Sequence, residues 1–105
     1  MTIKNLNSPR SGRPVANQFV AYDDNMTYFQ SYDSLICTIN GTGHTITFGR
    51  DRNYSRTTSK YLRVFMDEFA PVVAFEWSTR NINNIIRAAK MVDRFGRIWK
   101  INAEV

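Results

Sequence analysis

The chain is short of the residues that most enzymes and stapled folds are built from. It has one cysteine, Cys37, and one histidine, His44, in 105 residues. A single cysteine closes no internal disulfide, which excludes a disulfide-framed secreted scaffold. Two such ligands fall short of the four that a structural zinc requires, so no metal or other cofactor is expected. Long apolar runs are missing as well. The longest, Ala70 to Phe75, is broken by Pro71, and a membrane-crossing helix needs roughly twenty residues. The N-terminus carries no apolar run of the kind a secretory leader has. The expectation is a cytoplasmic, single-domain protein without a membrane partner. Acids are scarce too, nine against fourteen Lys and Arg, for a formal charge of +5.

What is present is enough for one core: 43% of residues are hydrophobic and 13% aromatic. Residues 1–14 are polar and hold Pro9, Gly12 and Pro14, which reads as a flexible arm preceding a domain over 15–105. From Val15 the pattern alternates. Val15–Tyr22, Met26–Tyr32, Leu35–Ile39 and His44–Phe48 read as strands. Asn40-Gly41-Thr42-Gly43 is the strongest hairpin signal, because Asn-Gly tolerates positive φ.

The period then lengthens to that of a helix. Leu62, Phe65, Met66 and Phe69 make an apolar stripe on a helix capped by Ser55, Thr57 or Thr58 and stopped by Pro71. Val72–Phe75 reads as a short buried strand. A second helix, capped by Ser78 or Thr79, is expected to bury Ile82, Ile85, Ile86, Ala89 and Val92 and to end at Gly96. Arg97–Ala103 closes the chain as a strand. The expected fold is α+β: a mainly antiparallel sheet of four to five strands with two amphipathic helices on one face.

The charge excess sits in two blocks. One holds Arg50, Arg52, Arg56, Lys60 and Arg63, the other Arg80, Arg87, Lys90, Arg94, Arg97 and Lys100. Ten of the fourteen basic residues are arginine, whose planar fork grips phosphate or carboxylate with two bonds. On the expected helices, Arg56, Lys60 and Arg63 oppose one apolar stripe, and Arg80, Arg87, Lys90 and Arg94 oppose the other. With Arg50 and Arg52 they are the candidate binding residues for an anionic partner. Tyr28, Tyr32 and Tyr54 are candidate aromatic contacts, able to stack on bases or anchor a protein.

The catalytic inventory is thin. Cys37 alternates with Leu35 and Ile39 as a core residue, where a thiol is inert. Asp23 and Asp24 belong to a turn, and Asp51 is expected to pair with Arg50 or Arg52. Gly41-Thr42-Gly43 lacks the Gly-Lys-Ser/Thr ending of a phosphate loop. A non-enzymatic protein is expected.

Three runs carry a family resemblance: Ala16-Asn17-Gln18-Phe19, the stretch from Tyr28 to Ser34, and the stretch from Asn53 to Leu62. They resemble a family of short proteins encoded by phages and mobile elements of Gram-positive bacteria. Several members carry tryptophan where this chain has Arg52, which replaces an apolar contact by a cationic one. The resemblance implies a protein that inhibits host defence by occupying a surface, in the manner of an anti-CRISPR inhibitor. The expected partner is a host defence nuclease or nucleoprotein complex, engaged through a basic surface. A nucleic-acid-binding accessory or regulatory protein of the mobile element, touching DNA or RNA directly, is the second reading. Either would act as a monomer or as a homodimer joined through an exposed strand edge.

Overall fold

The computed structural model describes residues 1–52, 55–73 and 82–104. Seven strands form one sheet: β1 (Thr2–Asn7), β2 (Pro14–Tyr22), β3 (Met26–Ser31), β4 (Ser34–Asn40), β5 (Thr45–Phe48), β6 (Lys90–Val92) and β7 (Ile98–Ala103). Their order across the sheet is β1-β2-β3-β4-β5-β7-β6. All neighbours are antiparallel except β5 and β7, which run parallel. Parallel neighbours need a crossover, and the helices supply it: α1 (Arg56–Phe69) and α2 (Ile82–Ala88) lie between these two strands in sequence.

The ladder sorts side chains onto two faces. Lys4, Val20, Phe29, Cys37, Phe48 and Ala103 lie opposite one another in register, as do Ile39, Ile46 and Ile101. Val20, Phe29, Cys37, Ile46 and Phe48 are wholly buried and belong to one core with Leu62, Phe65, Met66 and Ile85 of the helices. α1 packs on β1, β2 and β3, and α2 on β6 and β7. Phe65 stacks on Phe29 with ring centroids 5.4 Å apart. The apolar stripe expected on α1 is thus the one that meets the sheet.

The start of α1 is fixed by hydroxyls. Ser55 caps it by accepting from the Thr58 amide at 3.1 Å. The buried Thr58 hydroxyl also shares a 2.8 Å hydrogen bond with Ser31 of β3. Beside Ser31 on the same face, Gln18 is fully buried with neither amide atom paired among the described residues. At the other end the Ala70 amide donates to the Met66 carbonyl, and Pro71 stops the helix.

Four expectations need correction. Residues 1–14 are not a loose arm, because residues 2–7 pair with β2 as an edge strand. The signal is hidden because only Leu6 is buried, brought inward by an irregularity between Asn5 and Asn7. Val72 and Val73 sit in a helical turn rather than a strand; Ala74 and Phe75, like Ser78, Thr79, Asn53, Tyr54 and Arg80, lie outside the described residues. The sheet has seven strands and is mixed, not four or five. The second helix ends at Ala88, not near Gly96. Ala89 adopts φ +60, and the chain turns into β6, so Ala89 and Val92 are exposed instead of joining a core stripe.

Asp93 is the physical reason for that last change. Its carboxylate accepts from the amides of Phe95 and Arg97, the Arg97 guanidinium and the Trp99 indole, each at 2.9–3.0 Å. These bonds close a β6–β7 hairpin whose turn uses Gly96 at φ +80. Burial pushes this carboxyl up, but the indole, amide and guanidinium donors outweigh it and hold it at about 2, below the ordinary 3.8. A depressed carboxyl contributes stability that is complete above its unfolded value and lost as pH falls through its folded value. Asp93→Asn should therefore melt below the parent at neutral pH, and the gap should close between about pH 4 and pH 2. Thermal melts of both proteins across that range check this.

A second outcome tests the packing. Ile85 is fully buried, whereas Ile86 is only partly covered. Ile85→Ala should cost about 2–5 kcal/mol and Ile86→Ala clearly less, as read from urea unfolding midpoints.

Candidate functional site

α1 projects its basic residues away from the sheet because its opposite side is held by the core. Arg56, Lys60 and Arg63 are exposed and recur at helical spacing on one stripe. Among the described residues, no acid forms an ion pair with any of them; Lys60 lies over the Tyr61 ring at 5.5 Å. Asp67, one turn past Arg63, closes the stripe at the helix end. Glu68 beside it pairs with Lys4 at 3.5 Å, an exposed pair worth little to stability.

The charges of α1 run against its own dipole. Its first turn has no acid and its last turn no base. Arg56 instead stands at the positive end of the helix dipole, and Asp67 and Glu68 at the negative end. Each such placement forgoes roughly 0.3–1 kcal/mol available from the reverse arrangement. Folding stability therefore does not explain the pattern, whereas a concentrated positive field at the start of the helix favours an anion.

The other described candidate cations are dispersed. Arg50 is exposed in the turn after β5. Arg52, half-buried, donates to the carbonyls of Gly49 and Glu104 at 3.0 and 2.9 Å. It ties the chain end to that turn and is structural rather than free for a partner. Asp51 accepts from Ser34 at 2.8 Å instead of pairing with Arg50 or Arg52. Arg87 is exposed on α2 and bonds Asn84. Arg94 stands in the β6–β7 turn and donates to the Pro71 carbonyl at 3.1 Å. Lys90 belongs to β6, directly opposite Lys100 on the side away from the helices. β4 and β5 separate the strands under α1 from those under α2. The described candidates thus do not form one helical stripe; the fold brings together Arg56, Lys60 and Arg63.

Of the tyrosines, Tyr28 lies on the sheet face opposite the helices, and Tyr32 is an exposed turn residue with φ +55. Cys37 is fully buried, and burial pushes its thiol far up, so it stays protonated at neutral pH. Asp23 accepts from the Met26 and Asn25 amides, which lower its carboxyl. Among the described residues no three metal-ligating side chains gather, and no helix is long and apolar enough to cross a membrane.

Alternation within single strands places Tyr28 with Gln30 and Thr45 with Thr47, and strand pairing joins such residues into the rows of the sheet's second face. Ile3, Ala21, Tyr28, Thr38, Thr47 and Asn102 share one row, and Asn5, Phe19, Gln30 and Leu35 another. No charged side chain interrupts these rows. Met1, Ile3, Phe19, Ala21, Tyr28, Gln30 and Leu35 line a shallow hollow of about 590 Å³ there.

No curated protein and no solved structure matches the chain. Residues 1–84, which span β1 to the first turn of α2, match DUF8033, a family of unknown function, and the chain belongs to that family.

Proposed function

We propose that this protein is a non-catalytic binder that occupies an anionic surface through the outer side of α1. The observation that carries this reading is the exposed Arg56, Lys60 and Arg63 stripe, in no ion pair among the described residues and set against the helix dipole rather than with it. Two of the three side chains are arginines, suited to the two-bond recognition of phosphate or carboxylate. The partner class implied by the family resemblance is a host defence nucleoprotein in the host cytoplasm. Its guide RNA or an acidic protein face supplies the negative charge. The basic character of this chain disfavours a DNA-mimic mode, which requires an acidic surface.

The test is the triple variant Arg56→Gln, Lys60→Gln, Arg63→Gln. Its melting curve should stay close to the parent's, since exposed substitutions mostly shift stability by less than about 0.5 kcal/mol. Binding to a purified defence nuclease–RNA complex, followed by fluorescence anisotropy, should fall sharply. The salt dependence of the residual binding should flatten by about one unit for each phosphate no longer neutralised. Unchanged affinity would remove α1 as the site. Tight, salt-sensitive binding of the parent to naked DNA or RNA, with none to the complex, would favour the accessory or regulatory role instead.

A further inference from the structure

We infer that the uncovered face of the sheet, over β1 to β5, is the contact surface for a second copy of this chain. The described helices pack on one side of the sheet; on the other side Ile3, Gln30 and Leu35 are exposed and Phe19, Ala21 and Tyr28 half-buried. Single exposed apolar side chains are ordinary on any protein; a contiguous set is not. Among the described residues, the exposed large hydrophobics are Met1, Ile3, Tyr32, Leu35, Val92, Phe95 and Ile98. Met1, Ile3 and Leu35 gather around the hollow on this face, Tyr32 and Phe95 stand in turns, and Val92 and Ile98 lie beyond it on β6 and β7; none is on the outer side of a helix.

Charge selects the occupant. A two-fold interface sets a surface against itself, so a face bearing charges of one sign repels its own copy. The chain carries +5, yet the open-face rows over β1 to β5 hold no charged side chain. The lysines of this face, Lys90 and Lys100, lie beyond it on β6 and β7. The outward side of α1 is basic and would repel a copy of itself. The uncovered face is therefore suited to self-association in a way that the helical side is not.

Shape agrees. Ile3 and Leu35 stand out, at 70% and 49% exposure, beside a hollow to which the small Ala21 contributes. In a two-fold pair the projecting side chains of each copy can enter the hollow of the other, as facing sheets interdigitate at about 10 Å. Five strands spaced about 4.8 Å apart and about 18 Å long present about 430 Å² in projection, and more once side-chain relief is counted. Doubled for two partners this is about 860 Å² before that relief, below the about 1,200–2,000 Å² of standard interfaces, so the pair is of the small, weak and concentration-dependent class. This inference is independent of the partner of α1, and it assigns the interface to the face of the sheet rather than to its edge.

Sedimentation of the full chain over a hundredfold concentration range tests it. The parent should shift from 12.2 kDa toward twice that mass. The double variant Ile3→Lys, Leu35→Lys should stay monomeric with a parent-like melting curve. A second readout covers a variant that folds poorly. In the parent, amide resonances of Phe19, Ala21 and Tyr28 should shift with concentration while those of Arg56, Lys60 and Arg63 do not. A parent that remains monomeric at every concentration overturns the inference, even where the face binds another protein or a lipid vesicle. A dimer that persists unchanged in a folded double variant overturns it too, and moves the interface to the β1 edge or elsewhere.

Discussion

The stacking of Phe65 of α1 on Phe29 of β3 is the joint on which the rest depends. Phe29 lies at the centre of a buried row running through Val20, Cys37 and Phe48. Phe65 also packs against Phe69, and Phe69 against Tyr22. A helix held along one stripe in this way has no rotational freedom, so its opposite stripe is fixed in space. The position of Arg56, Lys60 and Arg63 follows from the aromatic packing behind them. The Ser31–Thr58 hydrogen bond sets where along the sheet that stripe begins. The packing is therefore what turns an amphipathic helix into an oriented basic surface.

One-sided coverage is the second consequence. The two helices described in full pack on one side of a seven-stranded sheet, and no further described element covers the other. A sheet can tolerate a solvated face if that face is polar. Here the face is polar along Thr38, Thr47 and Asn102 but apolar around Ile3, Phe19 and Leu35. The molecule thus presents two surfaces of opposite character, one cationic and one neutral and partly apolar. A binder that pairs through the second would display the first twice, which raises apparent affinity for any extended anionic partner.

Much of this was legible in the sequence, and the omissions have physical causes. Strands β2 to β5 and helix α1 follow local rules: alternation, turn residues, a hydroxyl cap and a 3.6-residue stripe. β1 escaped because an edge strand with one buried residue has no apolar alternation to read. β6 escaped because Ile82, Ile85, Ile86, Ala89 and Val92 continue a helical spacing that the chain does not follow. The four donors converging on Asp93 and the pairing with β7 outweigh that local preference. The parallel pairing of β5 with β7 joins residues 55 positions apart, which no local pattern reports. Among the site residues, α1 was readable, but the structural role of Arg52 was not. It depends on the Glu104 carbonyl, far along the chain. Gly49 is a further case. Its missing side chain lets β5 end against the Leu35 carbonyl, where a Cβ would collide.

The most direct test of the central claim is to map, by amide chemical-shift changes in the full chain, where a short RNA or an acidic peptide lands. The account predicts the largest changes along Arg56, Lys60 and Arg63, diminishing as salt is raised. Changes confined to the uncovered sheet face, or none at all in low salt with either probe, would contradict it.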